Sequence, residues 1–110
     1  MAKSADRARL ARALKALAHP SRLGAVRALA AGPLCVQELQ AVMGSELSTV
    51  SRHLRMLADA GLLDPERQGQ RIVYRLKVPC LNGFLECVEA VLAGRPNREL
   101  AERLVKEMVP

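Results

Sequence analysis

Two short helical patterns that meet near a glycine constrain this chain more than any other feature. In the second pattern, Val50, Leu54 and Leu57 recur at positions i, i+4 and i+7. This spacing predicts an apolar stripe that packs against the rest of the domain. The first pattern covers residues 35–42, and Gly44 begins the turn between the two. The sequence therefore predicts two helices joined by a tight turn.

The second of these helices has short polar side chains along its first turns, in the run STVSRHL at residues 48–54. Hydroxyl groups and a guanidinium at the front of a helix can reach base edges and phosphates without blocking entry into the major groove of DNA. A helix-turn-helix recognition helix has these features. The predicted DNA contacts on this helix are Ser48, Thr49, Ser51, Arg52, His53 and Arg55.

The order of the remaining patterns predicts a mainly α fold with a β-hairpin wing, a winged helix-turn-helix. Two strands are predicted at 62–68 and 71–77, because Ile72, Tyr74 and Leu76 alternate with polar or smaller residues. The predicted helices cover 5–18, 20–31, 35–42 and 46–60 before the hairpin, then a fifth beginning at Pro79 and a sixth over 98–109. The tip of the hairpin would reach the DNA backbone or minor groove through Arg67, Gln68, Gln70 and Arg71.

Composition limits the kind of protein that this can be. The chain has 110 residues and a net charge of +6, which predicts a single domain over 1–110 and an anionic partner, most often nucleic acid. No stretch approaches the roughly 20 apolar residues that span a bilayer, and the N-terminus lacks the apolar run of a signal peptide. We therefore expect a cytoplasmic protein with no membrane partner. No nucleophile–base pair or phosphate-binding loop is evident, so we expect no enzyme.

Four ordered motifs resemble the ArsR/SmtB family of bacterial repressors. They are LAHPSRL at 17–23, STVSRHL at 48–54, LADAGLL at 57–63 and the wing ending YRL at 74–76, and the resemblance covers roughly residues 10–92. It implies a homodimer that releases double-stranded operator DNA when a metal, metalloid or other signal binds. One departure is Glu46-Leu47 at the start of the recognition helix, where the family usually has a leucine and a small hydroxyl cap.

The resemblance also implies which surface joins the two subunits. Members of the family contact each other through the fifth helix, and Gly83 would permit a close crossing of two such helices. We expect dimerisation through the terminal helices, at Leu10, Leu14, Leu81, Gly83, Phe84, Leu85 and Val88.

Three cysteines raise the question of what the chain senses. Cys35 lies in LCVQEL, which is similar to the arsenic-binding LCVCDL of the family, but Gln37 replaces the second cysteine. Cys80 and Cys87 would lie on one face of the fifth helix, about 10.5 Å apart along its axis at 1.5 Å per residue. One ion cannot bridge that distance within a subunit, whereas an antiparallel crossing near Gly83 would bring Cys80 of one subunit toward Cys87 of the other.

The predicted function is therefore a repressor released by trivalent arsenic or antimony at Cys80 and Cys87, with Cys35 as a weaker candidate ligand. The zinc-binding Asp and His residues of the family's fifth helix have no counterpart here, so we expect no zinc. Thiol oxidation or persulfide chemistry is an alternative signal, and the cysteines could also be small buried apolar residues. An alternative from a different functional class is a protein-interaction module, in which the winged helix binds a protein and no DNA.

Overall fold

The structure is a computed structural model that describes residues 2–94, 102–103 and 105–107. It divides into two compact units, Met1–Lys77 and Val78–Pro110, which are described separately below. The single domain expected over 1–110 stays a prediction. The elements in chain order are α1 (Ala2–Leu17), α2 (Pro20–Leu29), β1 (Leu34–Cys35), α3 (Val36–Met43), α4 (Leu47–Asp59), β2 (Leu63–Gln68), β3 (Arg71–Leu76) and α5 (Leu81–Leu92).

The core of the first unit is aliphatic and is built mainly from α2, α3, α4 and the start of β2. The only tyrosine, Tyr74, is also buried there. A core of branched aliphatic side chains suits helices that cross at close range. The side chains that are almost completely buried are Val26, Leu39, Val50, Leu54, Leu57 and Leu63.

The wing is one strand larger than the sequence indicated. β2 and β3 form the expected antiparallel hairpin, with Leu63 opposite Leu76 and Gln68 opposite Arg71. The short strand β1 adds to the other edge of β3 and places Leu34 opposite Tyr74. The sequence analysis missed β1 because two residues are too few to show an alternating pattern.

The turns follow from local backbone chemistry. Pro20 occupies the first turn of α2, where its missing N–H costs no hydrogen bond, and His19 Nδ1 accepts the Ser21 N–H at 3.2 Å. Gly44 ends α3 in the left-handed region at φ 69°, a conformation that favours glycine. Glu46 is the N-cap of α4, without a side-chain capping bond, so the start of this helix is within one residue of the prediction.

The second unit contains α5, which begins two residues later than predicted, with Cys80 as its N-cap. Residues 102–103 and 105–107 are helical, and the rest of the predicted sixth helix over 98–109 lies outside the described residues. Within the described part of the chain, no helix is long and apolar enough to span a bilayer.

Candidate nucleic-acid interface

Helix α4 separates its polar and apolar residues onto two faces. The side chains of Val50, Leu54 and Leu57 are fully buried, as the i, i+4, i+7 spacing predicted. This burial fixes the rotation of the helix, so the opposite face is directed to solvent. Ser48, Arg52 and Arg55 are exposed on that face.

Two further predicted contacts lie at the edge of this face. Thr49 and Ser51 are half-buried, so each hydroxyl can still reach a ligand that approaches α4. Together with the three exposed residues they form what we call the α4 face, which comprises Ser48, Thr49, Ser51, Arg52 and Arg55.

His53 is the exception among the predicted contacts on α4. It is 8% exposed, and its Nδ1 accepts a hydrogen bond from Arg22 Nε at 2.9 Å. Its ring lies 4.6 Å from that of His19, centroid to centroid. The burial of His53 and its hydrogen bond to Arg22 favour a packing role over the predicted DNA contact. The helical period explains the change, because His53 lies three residues after Val50 and four before Leu57 and so shares the buried side of the helix.

The surroundings of His53 favour its neutral form. Burial lowers its pKa first, because a buried imidazolium loses hydration, and the positive charge of Arg22 lowers it further. His19 and Arg52 act in the same direction. A neutral imidazole can accept the Arg22 N–H, so the hydrogen bond and the pKa shift are consistent with each other.

The tip of the wing carries four exposed polar residues, Arg67, Gln68, Gln70 and Arg71. Gly69 turns the hairpin with φ 66°, a value that favours glycine. The Nη2 of Arg71 lies 3.7 Å from the Glu38 carboxylate, and Arg67 Nη1 donates to the Gly69 carbonyl at 3.5 Å. A neighbouring Cys35 side chain and then Glu38 raise the pKa of Arg71, whose guanidinium stays charged at any physiological pH.

Glu38 links α3 to the wing. Its Oε1 accepts the backbone N–H of Cys35 at 2.9 Å, and this hydrogen bond is the main reason that the pKa of Glu38 is lowered. The same carboxylate faces Arg71 on β3. Sequence reasoning did not single out Glu38, although a glutamate three residues after a helix N-cap is a recognisable capping signal.

The three cysteines lie in different surroundings. Cys35 is buried at the start of α3, whereas Cys80 and Cys87 are half-buried in the second unit. Cys80 precedes α5 and Cys87 lies in its second turn, so seven residues separate them as predicted. No group of three or more His, Cys, Asp or Glu side chains among the described residues is placed to hold a metal ion.

The predicted dimer surface is largely exposed in the single chain. Leu10 and Leu14 on α1, and Phe84 and Val88 on α5, are exposed, and Gly83 and Leu85 are half-buried. Leu81 differs, because it is only 8% exposed within one chain and therefore offers little area to a partner. The part of Leu81 in the dimer surface stays a prediction, and its burial in the single chain argues against a large one.

Arg22 is a residue that sequence reasoning quoted within a motif but did not assign to any role. Besides the bond to His53, its Nη1 donates to the Ala16 carbonyl at 3.3 Å and its Nη2 lies 2.9 Å from the Met56 sulfur. It therefore ties α1 and α2 to the recognition helix α4. In the sequence, the position of Arg22 within the LAHPSRL motif was the one signal that could have pointed to such a role.

Comparisons with known proteins agree with this architecture. A family model described as a helix-turn-helix domain matches residues 17–66. The HTH-type transcriptional regulator YgaV of Escherichia coli is 36% identical over 79 residues, which cover 71% of this chain and 80% of that protein. The HTH-type transcriptional regulator NmtR of Mycobacterium tuberculosis is 46% identical over 69 residues, 63% of this chain, and the match spans only 58% of its length.

A solved structure resembles the fold over nearly the whole described chain. It is a homodimeric winged helix-turn-helix DNA-binding domain from Mycobacterium bovis, described as part of a possible ArsR-family transcriptional regulator. The TM-score is 0.78 at 31% sequence identity, covering 88% of this chain and 94% of that one.

Proposed function

Because the chain belongs to the ArsR/SmtB family of winged helix-turn-helix transcriptional regulators, we propose that it is a homodimeric repressor that blocks the promoter of its own operon. The observation that carries this proposal is the orientation of α4, whose apolar stripe is buried while Ser48, Arg52 and Arg55 face solvent. Family membership also confirms that the chain is not an enzyme, as the sequence predicted.

The chemistry of the exposed residues supports DNA as the partner. Hydroxyl groups and guanidinium groups on the α4 face can donate to base edges and phosphates in the major groove. The arginines at the wing tip would contact the neighbouring backbone. Doubling of these cations in a dimer, together with the net charge of +6, predicts an affinity that falls steeply with salt.

The direct test replaces one exposed arginine of α4. Arg52→Ala should weaken binding to the upstream DNA by about 1–3 kcal/mol if the guanidinium makes a bidentate base contact. The matched control is Arg7→Ala, an exposed arginine on α1, which should leave the affinity nearly unchanged. Fluorescence anisotropy at fixed salt gives both values.

Two results would contradict this assignment. Equal affinities for Arg52→Ala and the parent chain would exclude the α4 face as the recognition surface. An affinity that does not change with salt would exclude electrostatic docking, and no binding to the upstream DNA at any salt concentration would favour a protein-interaction module instead.

We further propose that a thiophilic inducer, trivalent arsenic or antimony, releases the repressor by binding Cys80 and Cys87. Trivalent metalloids prefer thiolates, and both thiols are half-buried rather than enclosed. The seven-residue spacing excludes one ion within a single helix, which is why the proposal pairs Cys80 of one subunit with Cys87 of the other. Binding would change the contact between subunits and hence the spacing of the two recognition helices.

Serine substitutions separate the thiols from one another. Cys80→Ser and Cys87→Ser should each retain DNA binding and lose release by arsenite, because a serine hydroxyl stays protonated and offers no soft ligand. Cys35→Ser is the control with a smaller expected effect, since Gln37 replaces its partner. A full arsenite response in both α5 variants would contradict this site. Release by a persulfide donor but not by arsenite would identify thiol modification as the signal.

A further inference from the structure

A cavity of about 370 Å³ that is open to solvent lies between three helices of the first unit. This volume falls in the range of roughly 300–1,000 Å³ that small-molecule sites occupy. The cavity shares no lining residue with the α4 face. Its walls come from α1 (Arg12, Lys15, Ala16), α2 (Arg22) and the second half of α4 with the residue that follows it (Met56, Asp59, Ala60).

The walls of the cavity combine positive charge with apolar surface. Arg12, Lys15 and Arg22 supply three cations against the single carboxylate of Asp59. None of the three cations forms an ion pair with any residue that the structure describes. Ala16, Met56 and Ala60 supply the apolar part of the lining. A ligand that matches these walls is an anion with an apolar body.

Arg22 has unused hydrogen-bonding capacity at this cavity. Its Nε donates to His53, its Nη1 donates to the Ala16 carbonyl, and its Nη2 contacts the Met56 sulfur. A guanidinium has five N–H donors, so one donor on Nη1 and one on Nη2 remain available. One free N–H on each of two guanidinium nitrogens can pair with the oxygens of a carboxylate.

We infer that this cavity binds a small organic carboxylate with a compact apolar group, and that Arg22 transmits its binding to α4. The carboxylate pairs with the cations, and the apolar group packs on Ala16, Met56 and Ala60. A carboxylate on the two remaining donors partly neutralises Arg22 and weakens its contacts with His53 and with the Met56 sulfur. Both contacts belong to α4, so the recognition helix is loosened from α1 and α2.

Binding itself is tested without DNA, with benzoate as the probe and benzyl alcohol as its neutral counterpart. NMR of protein labelled at the methionine methyl groups should show a shift of the Met56 signal, assigned with Met56→Leu, at a benzoate concentration on the order of millimolar. Arg12→Gln and Lys15→Gln should each weaken benzoate binding by about two- to fivefold. Arg7→Gln, on the same helix but outside the cavity, should leave it unchanged.

Two results of this titration would overturn the binding site. Equal binding of benzoate and benzyl alcohol would show that charge has no part in it, and no shift of Met56 with either compound would show that the cavity does not bind such ligands. Weaker DNA binding by Arg12→Gln and Lys15→Gln, without any benzoate binding, would assign these cations to DNA phosphates instead.

Transmission to α4 rests on the proposed function and has its own measurement. Benzoate at saturation should lower the affinity of the parent chain for its operator, and it should raise the pKa of His53 toward its ordinary value as Arg22 is neutralised. Benzoate binding with no change in either quantity would overturn the transmission while leaving the repressor assignment intact. Failure of DNA binding in the absence of benzoate would refute the repressor assignment alone.

Discussion

Helices α4 and α5 have similar lengths, 13 and 12 residues, and both have apolar residues at helical spacing, yet the chain treats them differently. The apolar stripe of α4 is fully buried within its own unit. On α5, Phe84, Val88, Val91 and Leu92 all remain exposed, Leu92 at 80%. The same kind of apolar spacing therefore gives a buried core face on α4 and a solvent-exposed apolar face on α5.

This difference in exposure indicates which kind of partner each helix suits. A helix whose apolar side is already covered presents its polar side to solvent, which suits a polyanion such as DNA. A helix whose apolar side is uncovered within the chain suits contact with a second apolar surface, and the simplest such surface is a second copy of itself. We propose this division of roles for α4 and α5, and three predictions follow from it.

The largest expected effect concerns the stability of the fold. Leu54→Ala in α4 should lower the free energy of unfolding by about 2–5 kcal/mol, because it opens a cavity in a close-packed core. Leu92→Ala in α5 should change it by no more than about 0.5 kcal/mol, since the side chain is already in water. Urea denaturation of both variants gives the two values. Similar losses of unfolding free energy in Leu54→Ala and Leu92→Ala would contradict the difference in burial between α4 and α5.

The second prediction concerns self-association. Phe84→Glu should weaken the dimer by at least about tenfold, because it places a charge in the middle of the apolar surface of α5. Val42→Glu is the matched control, since Val42 is an exposed apolar residue on α3 outside the proposed interface. Sedimentation at micromolar concentrations distinguishes monomer from dimer. A dimer unchanged by Phe84→Glu, or a monomeric parent chain, would place the interface elsewhere.

The smallest expected effect is a pH dependence on the buried side of α4. The folded pKa of His53 is lowered below its ordinary value of about 6.5, so the unfolded chain binds a proton more readily than the folded one. Stability should therefore fall as the pH drops from about 6.5 toward the folded pKa and should be unaffected by this group above 6.5. His53→Gln removes the titration and should flatten this part of the profile in urea denaturation measured at several pH values. An equally steep profile in the variant would show that other groups cause it.

Much of the fold could be predicted because its signals are local. The apolar spacing of α4, the helix start at Pro20 and the turn at Gly44 each depend on neighbouring residues. The hairpin also follows from a short alternating pattern and its glycine turn. The strand β1 was missed, because two residues become a strand only when β3 lies beside them.

The candidate site was predicted less completely, for a related reason. Spacing identified the polar residues of α4 and also places His53 on the side of Val50 and Leu57, a signal that its polar chemistry concealed. Neither the contacts of Arg22 with His53 and Met56 nor the pairing of Glu38 with Arg71 follows from spacing, since each joins residues more than 30 positions apart in the chain.

The helix-turn-helix order, the basic charge and the candidate residues of α4 and the wing follow from short segments of the sequence, because helical periods, turn residues and charge are local properties. The folded chain adds that His53 is a buried acceptor, that Leu81 is buried, and that Arg22 connects α1 and α2 to α4. These outcomes depend on which distant surfaces come together, and burial and hydrogen bonding are set by that contact rather than by neighbours in the chain.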